Sequence, residues 1–259
     1  MKVVILCGGL GSRIRDVADD IPKPMIPIGR YPILWHIMRY YATYGHKDFI
    51  LCTGHRGEVI RDYFLNYEAH TRDFTVVLGD RGSIRFHGRH EATDWRVTVA
   101  DTGEHAMTGA RVRKIEKYTG SDEQFMLTYG DGVGDIALDR LLAYHMAHGK
   151  ILTVTGVRPA GRFGEVMADA KGLVVEFNEK PQATAGRISG GFFVCRREIF
   201  GYLDDREDLV LEKEPMDRLV ADRQMCLYEH DGFWQPMDTR REYQLLNEVY
   251  AAGNAPWAR

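Results

Sequence analysis

Short apolar runs alternate with helically patterned segments through the first half of this 259-residue sequence. Four runs are predicted to be strands: Val3 to Cys7, Phe49 to Cys52, Phe74 to Leu78 and Gln124 to Tyr129. Helices are predicted to begin at Pro32, near Val59 and near Met107, the last closing at Ile115. The polar residues 80–98 are predicted to leave the core. Continuous apolar strands alternating with helices predict an α/β, Rossmann-like fold with a mixed, mainly parallel central sheet and helices on both faces.

The second half changes character, because its predicted strands have little helix between them. They are Ile151 to Val157, Gly164 to Met167, Leu173 to Phe177 and Gly191 to Cys195. Helices are predicted over 197–203, 213–221 and 239–251. No linker-like tract divides the chain, so we expect a single domain over 1–259 whose halves, roughly 1–135 and 136–259, share one sheet.

Charge and cysteine spacing argue against several classes of protein. The formal net charge is −3, without the basic excess that nucleic-acid or membrane surfaces require. No apolar run approaches the ~20 residues that span a bilayer, and the short N-terminal run is predicted to be a strand rather than a signal peptide. The four cysteines are widely spaced with no CxxC pair, which predicts reduced thiols in the cytoplasm.

A glycine-rich loop directly after the first strand is the strongest local signal. Its residues are Leu6, Cys7, Gly8, Gly9, Leu10, Gly11, Ser12 and Arg13. Glycines let the backbone approach a ligand and expose N–H groups to phosphate oxygens, and Arg13 can bind phosphate through two hydrogen bonds. The loop is not a Walker A motif, and Ile14 replaces the third glycine of a dinucleotide fingerprint. A tight strand-to-helix turn is the alternative.

A lysine held between two prolines follows this loop. Pro22 and Pro24 stiffen the backbone around Lys23, which suits a fixed point charge facing a leaving pyrophosphate. A solvated surface lysine is the alternative when this segment is considered alone.

Taken together, LCGGLGSR and the following PKPMIPIG resemble the signature of the sugar-1-phosphate nucleotidylyltransferases, also called sugar-nucleotide pyrophosphorylases. Ser12 replaces the usual Thr and Cys7 the usual Ala, and both keep the size of the side chain. Further segments resemble the branch of that family that uses CTP and glucose 1-phosphate. They are 101–103, 107–111, 129–133, 161–164, 179–181, 190–193 and 233–239.

The resemblance implies a reaction and a set of site residues. CTP and α-D-glucose 1-phosphate would give CDP-glucose and pyrophosphate, for deoxysugar or polysaccharide biosynthesis. The first half would bind the nucleotide and the second half the sugar. Arg13, Lys23 and Lys180 would be catalytic, Arg111 and Gly130 would join the glycine-rich loop and Lys23 in binding the nucleotide, and Gly164, Glu179, Lys180 and Gly191 would bind the sugar. The family also implies a homo-oligomer.

Two carboxylates are implied as ligands of Mg²⁺. Asp131 follows a predicted strand, at the edge where open α/β sheets bind ligands. Asp238 lies far along the chain, so only folding can bring the two together. Two carboxylates with phosphate oxygens and waters suit a hard octahedral cation. Asp238-Thr239 as a helix N-cap is the alternative, and the nearby Asp135 is predicted to be a turn residue.

Several alternatives remain open at this point. The base can be uracil or thymine, or the sugar other than glucose. A catalytically silent sugar-nucleotide-binding regulator is a different class, but it would be expected to have lost a metal carboxylate or a phosphate cation. Arg111 can be a surface helix residue. His145 and His148 share a helix face without a third ligand, so we expect them on a solvated face.

Overall fold

The computed structural model describes residues 1–9, 21–88, 92–158 and 186–258, together with the backbone of 165–168 and 174–178. The strands are β1 (Lys2–Leu6), β2 (Pro27–Ile28), β3 (Tyr31–Pro32), β4 (Asp48–Thr53), β5 (Phe74–Val77), β6 (Asp80–Phe86), β7 (Arg96–Asp101), β8 (Gln124–Tyr129), β9 (Gly132–Gly134), β10 (Leu152–Val157), β11 (Glu165–Ala168), β12 (Val174–Asn178), β13 (Ile188–Arg196), β14 (Met225–His230) and β15 (Trp234–Pro236). The α-helices are α1 (Ile33–Thr43), α2 (Gly57–Leu65), α3 (Tyr67–Thr71), α4 (Thr108–Lys114), α5 (Glu116–Thr119), α6 (Leu138–His148), α7 (Glu214–Ala221) and α8 (Arg240–Ala251). Short 3₁₀ helices cover Lys23–Met25, Arg197–Tyr202 and Pro256–Ala258.

One seven-stranded sheet organises the chain, in the order β14-β10-β13-β8-β1-β4-β7. Every neighbouring pair is parallel except those made by β13, which runs antiparallel to both β8 and β10. The predicted mixed, mainly parallel sheet is therefore confirmed. Because β13 comes from the second half of the chain and pairs with β8 of the first, the two halves share this sheet.

Apolar clusters cover both faces of the sheet. In β1, Val3 and Ile5 enter the cluster that includes α1, whereas Val4 and Leu6 enter the one that includes α4. All four side chains are buried, as the unbroken apolar run of a strand covered on both faces predicts. Helices on both faces are thus confirmed. Within the described segments no helix is both long and apolar enough to cross a membrane.

The strand predicted at Phe74 to Leu78 is confirmed as β5 (Phe74–Val77), but it lies outside the seven-stranded sheet. β5 pairs with β6 in a separate hairpin, and Phe74, Val77 and Leu78 are exposed. The place beside β4 belongs to β7, which begins inside the stretch that was predicted to leave the core. An apolar run predicts a strand but does not show what covers the strand. In β7 polar and apolar residues alternate, as is typical of an edge strand that is covered mainly on one face.

The expectation of a solvated face for the α6 histidines is wrong for His145. Its side chain is fully buried, with Nδ1 2.7 Å from Thr153 Oγ1 on β10. His148 Nε2 lies 2.7 Å from the same hydroxyl. Burial lowers the pKa of His145 to about 4, so this imidazole is a neutral group of the core at pH 7.

Candidate active site

The glycine-rich loop and the Asp131 turn leave the sheet side by side. Leu6 and Tyr129 end the adjacent parallel strands β1 and β8 and are paired in register. The Gly130 N–H donates to the Leu6 carbonyl at 3.0 Å, which joins the two segments where they leave the sheet. Parallel strands present their carboxyl ends on one edge, where open α/β sheets bind ligands. The predicted nucleotide-binding residues Leu6, Gly8, Gly9 and Gly130 therefore meet at this edge.

Lys23 lies between two carboxylates that come from distant segments. Its Nζ is 2.7 Å from Asp131 Oδ2 and hydrogen-bonds to Asp238 Oδ1. These partners are 108 and 215 residues away along the chain. The lysine side chain is 12% exposed, against 35% for Asp131 and 22% for Asp238. Folding thus assembles one cation and two anions at the rim of the sheet, and the surface-lysine alternative is wrong.

The charges around Lys23 determine its protonation. Burial alone would lower its pKa, but the attraction and hydrogen bond of Asp131, followed by those of Asp238, outweigh burial and raise the pKa. The ammonium therefore stays charged throughout the neutral range. Its three N–H groups are donors only, and within the described residues two of them are directed to carboxylates, which leaves one for a substrate oxygen.

Asp238 is held in place by its own neighbours. β15 pairs with β9, and the Met237 N–H donates to the Asp131 carbonyl at 2.8 Å, which brings the two acidic turns together. Thr239 caps α8 in a capping box with Glu242, whose carboxylate also accepts the Asp238 N–H at 2.7 Å. Because Thr239 supplies the cap, the alternative in which Asp238 caps the helix through its side chain is wrong.

Arg111 is buried rather than on the surface, so its surface-helix alternative is wrong. It is 2% exposed, and its Nη1 donates to the carbonyls of Thr53 and Gly103 at 3.0 and 2.9 Å and to Thr102 Oγ1 at 2.7 Å. Its Nη2 donates to the Glu104 carbonyl at 3.3 Å. Burial lowers its pKa, yet a guanidinium does not lose its proton in proteins. These named partners are neutral oxygens, which solvate the charge without cancelling it.

Gly8 allows this guanidinium to lie against the glycine-rich loop. A Cβ at Gly8 would be 2.2 Å from Arg111 Cζ, and a Cβ at Gly54 would be 2.5 Å from Arg111 Nη1. At Gly9 a Cβ would meet nothing within 4 Å. Gly8 is therefore needed for a close approach, whereas Gly9 faces open space.

These elements line a pocket of about 140 Å³. Its lining residues are Leu6, Cys7, Gly8, Gly9, Lys23, Pro24, Thr108, Arg111, Tyr129, Gly130 and Asp131. A larger groove of about 470 Å³ lies beside α2 and β7, but Arg61 is the only charged side chain among the described residues that line it. The smaller pocket brings together two cations, a carboxylate and backbone N–H groups, so it is the candidate active site.

Tyr129 and Thr108 line the pocket, although neither was among the predicted site residues. The Tyr129 ring lies against the predicted sugar-binding residue Gly191, where a Cβ would be 2.3 Å from the ring and φ is +74°. Glu212 accepts a hydrogen bond from each of the two hydroxyls. The position of Tyr129 directly before Gly130-Asp131 was a usable signal, but nothing near Glu212 in the sequence marks it.

Seven predicted site residues lie outside the described part of the chain. They are Leu10, Gly11, Ser12, Arg13, Gly164, Glu179 and Lys180. Their roles stay predictions.

The residues present suit a bound Mg²⁺. Asp131 and Asp238 already converge on one cation, the Lys23 ammonium, so this spot attracts positive charge. Among the residues that the structure describes, no group of three or more His, Cys, Asp or Glu side chains could hold a metal. Two carboxylates that rely on substrate and water for their remaining ligands match the way Mg²⁺ is usually bound.

Comparison with known proteins gives a consistent result. The family model described as nucleotidyl transferase matches residues 2–238. The glucose-1-phosphate cytidylyltransferases of Salmonella typhi and Salmonella typhimurium are each 43% identical over 257 residues, covering 99% of this chain and 98% of the relative. Among solved structures, HddC from Yersinia pseudotuberculosis has a TM-score of 0.69 at 21% identity, covering 96% of this chain and 99% of that one.

Proposed function

Because this chain belongs to the nucleotidyl transferase family, we propose that it transfers a cytidylyl group from CTP to α-D-glucose 1-phosphate, giving CDP-glucose and pyrophosphate. The relatives named as glucose-1-phosphate cytidylyltransferases match nearly the full length of the chain. The structural observation that carries the proposal is the convergence of Lys23, Asp131 and Asp238 beside the glycine-rich loop. A catalytically silent regulator would be expected to lack one of these three.

The reaction is an in-line displacement at the α-phosphorus of CTP. An oxygen of the sugar phosphate attacks this phosphorus while the bond to the β-phosphate oxygen breaks. No protein nucleophile is required, because the attacking phosphate is already anionic. Catalysis is then positioning and charge neutralisation, as in other phosphoryl-type transfers.

Each side chain has a separate task in this scheme. Lys23 directs its remaining N–H towards the departing pyrophosphate and lowers its negative charge, together with Arg13. Lys180 and Glu179 align the sugar phosphate and its hydroxyls. Asp131 and Asp238 would hold Mg²⁺, which would supply positive charge to the nucleotide phosphates. Arg111 lines the same pocket and lies against Gly8, and its donors suit the O2 and N3 acceptors of cytosine.

A substrate matrix tests the proposal. Pyrophosphate release is measured with four nucleoside triphosphates, dTTP and several hexose 1-phosphates, with and without Mg²⁺. We expect the highest kcat/KM for CTP with α-D-glucose 1-phosphate, and no turnover without the metal. A higher kcat/KM for UTP or dTTP, or no release with any pair, would overturn it.

Location and assembly complete the proposal. All four cysteines are free, which fits a reducing cytoplasm. CDP-glucose would serve the synthesis of deoxysugars for surface polysaccharides such as O-antigen.

We expect a homo-oligomer, because the β5–β6 hairpin exposes four large apolar side chains and a two-stranded hairpin by itself is marginally stable in water. The exposed fractions of Phe74, Val77, Leu78 and Ile84 are 46, 61, 92 and 50%. A monomeric mass by light scattering would contradict this.

A further inference from the structure

A segment of the second half closes over the beginning of α4. In residues 205–212, called here the strap, the carbonyls of Glu207 and Leu209 accept the N–H groups of Met107 and Ala110 at 2.8 and 3.1 Å. A Cβ at Gly109 would be 2.8 Å from the Leu209 side chain. No side chain caps the first turn of α4, so the strap supplies the partners that its free N–H groups need.

Glu212, at the end of the strap, joins two walls of the pocket. One carboxylate oxygen accepts the Thr108 hydroxyl at 2.6 Å, and the other accepts the Tyr129 hydroxyl. Thr108 begins the helix that carries Arg111, and Tyr129 ends the strand that leads to Asp131. Both hydroxyl-bearing residues line the pocket, whereas Glu212 is exposed and lies outside its lining.

The direction of these hydrogen bonds is fixed by chemistry. An ionised carboxylate only accepts, so each hydroxyl directs its single proton to Glu212. Thr108 Oγ1 in addition accepts the Leu211 N–H at 2.9 Å. A tyrosine phenol has an ordinary pKa of about 10, so it keeps its proton at neutral pH. With their protons engaged, both hydroxyls have only lone pairs to offer a ligand in the pocket.

This polarity distinguishes the two pyrimidine bases. Cytosine has an amino donor at C4, where uracil has a carbonyl acceptor. An acceptor in the wall can receive the cytosine amino group but faces the uracil O4 acceptor to acceptor. The donors of Arg111 suit the other positions of the cytosine edge, O2 and N3, so the pocket offers donors at one point and acceptors at another.

We propose that Glu212 is a positioning residue for base choice: by engaging the protons of Tyr129 and Thr108 it makes this wall an acceptor surface that favours CTP over UTP. The inference rests on the proposed function, because it concerns the nucleotide which that function consumes. Glu212 acts through the two hydroxyls and does not contact the substrate.

The test compares kcat/KM for CTP and UTP, each with glucose 1-phosphate. In Glu212→Ala the hydroxyl protons are released and can turn to donate to uracil O4, so the CTP/UTP ratio should fall by about tenfold, the effect of one mispaired hydrogen bond. In Glu212→Gln the amide carbonyl accepts one hydroxyl only, so the ratio should fall less. Glu214→Gln is the matched control: its carboxylate pairs with Arg206 on the outer surface, and the ratio should stay at the wild-type value.

Two further variants locate the effect. Tyr129→Phe and Thr108→Val each remove one hydroxyl, and at least one should reproduce the lower ratio. Adding Glu212→Ala to that variant should then lower the ratio little further, since residues that act through one another are not additive. A purely structural brace would lower kcat/KM for both nucleotides together and leave their ratio unchanged.

The outcomes separate the two proposals. If the wild type prefers CTP and the ratio stays unchanged in folded Glu212→Ala and Glu212→Gln, the role of Glu212 is overturned and the cytidylyl transfer stands. If the wild type does not prefer CTP, both proposals fail. Should Glu212→Ala fail to fold, Glu212→Gln, which keeps the size and one acceptor, decides alone.

Discussion

The two described cations of the pocket have opposite surroundings. Lys23 is bonded to two carboxylates, so the three charges together carry a net negative charge. Arg111 is bonded to carbonyl and hydroxyl oxygens, so its end of the pocket keeps a net positive charge. Arg111 is buried and Lys23 is mostly buried, and the partners of each cation, rather than its own charge, determine what each end of the pocket can bind.

This difference divides the work of the site. An acidic end attracts a further cation, through which phosphates can bind despite the carboxylates. A basic end made of fixed donors suits the acceptor atoms of a neutral base. Charge at one end and polarity at the other would thus separate catalysis from base selection.

The largest effect is expected at the acidic end. Asp131→Asn and Asp238→Asn keep the size of the side chain and remove a charge, so each should lower turnover by roughly 10²-fold or more, as the loss of an electrostatic stabiliser does. Mg²⁺ titrations of pyrophosphate release measure it. Asp135→Asn is the matched control. Asp135 lies near His230, whereas the carboxylates that bond to Lys23 are those of Asp131 and Asp238. Normal turnover at limiting Mg²⁺ would show that the altered residue is not a ligand.

At the basic end, Gly8→Ala tests whether the placement of Arg111 matters. The new Cβ would overlap the guanidinium, so Arg111 or the loop must move, and kcat/KM for CTP should fall by roughly 10- to 100-fold. Repeating the change in an Arg111→Ala background gives the control. If the overlap is the cause, Gly8→Ala should lower kcat/KM for CTP much less in the Arg111→Ala background than in the wild type. An equal fall in kcat/KM in both backgrounds would mean that the alanine obstructs the ligand itself.

Base choice gives the third prediction. Uracil carries N3–H where cytosine has an acceptor, so Arg111 would face uracil donor to donor. Arg111→Ala should lower kcat/KM for CTP more than for UTP, reducing their ratio by about tenfold. An unchanged CTP/UTP ratio would mean that backbone groups of residues 6–10 recognise the base instead. Arg111 would then serve only to join the loops that carry Thr53, Gly103 and Glu104.

Some of this arrangement could be predicted from the sequence. The strands β1, β4 and β8 were located to within one or two residues, because a strand covered on both faces is apolar throughout. The roles of Lys23, Asp131 and Asp238 came from the family resemblance, and the structure brings the three together.

Other features depend on tertiary contacts that no local pattern records. The apolar run of β5 looks like a core strand until the hairpin is seen to be exposed. Nothing in the composition of α4 indicates that Arg111 is buried among carbonyls of neighbouring loops. Glu212 is an exposed residue of an acidic stretch, and only the folded chain brings it to Tyr129 and Thr108.

The smallest predicted effect is on stability, and it depends on pH. In the folded protein the pKa of Lys23 is raised above its usual value, so its pairing stabilises the fold fully below the unfolded pKa, about 10.4, and the contribution is lost as pH rises through the folded pKa. Lys23→Met, which removes the ammonium from both carboxylates, should lower the free energy of unfolding at pH 7 by about 1–2 kcal/mol, between the values for exposed and buried pairs. The difference in the free energy of unfolding between the wild type and Lys23→Met should stay constant to about pH 10 and shrink above it.

Urea unfolding of both proteins at pH 7, 9 and 11 measures this difference. Lys47→Met is the matched control, because the Lys47–Asp94 pair is exposed at both ends, 41 and 57%, and exposed pairs contribute little. A Lys23 effect no larger than that of Lys47, or one that grows with pH, would mean that the carboxylates do not hold the ammonium in solution. The contrast between an acidic and a basic end of the pocket would then be lost, because Lys23 would be as free to meet phosphate as any surface lysine.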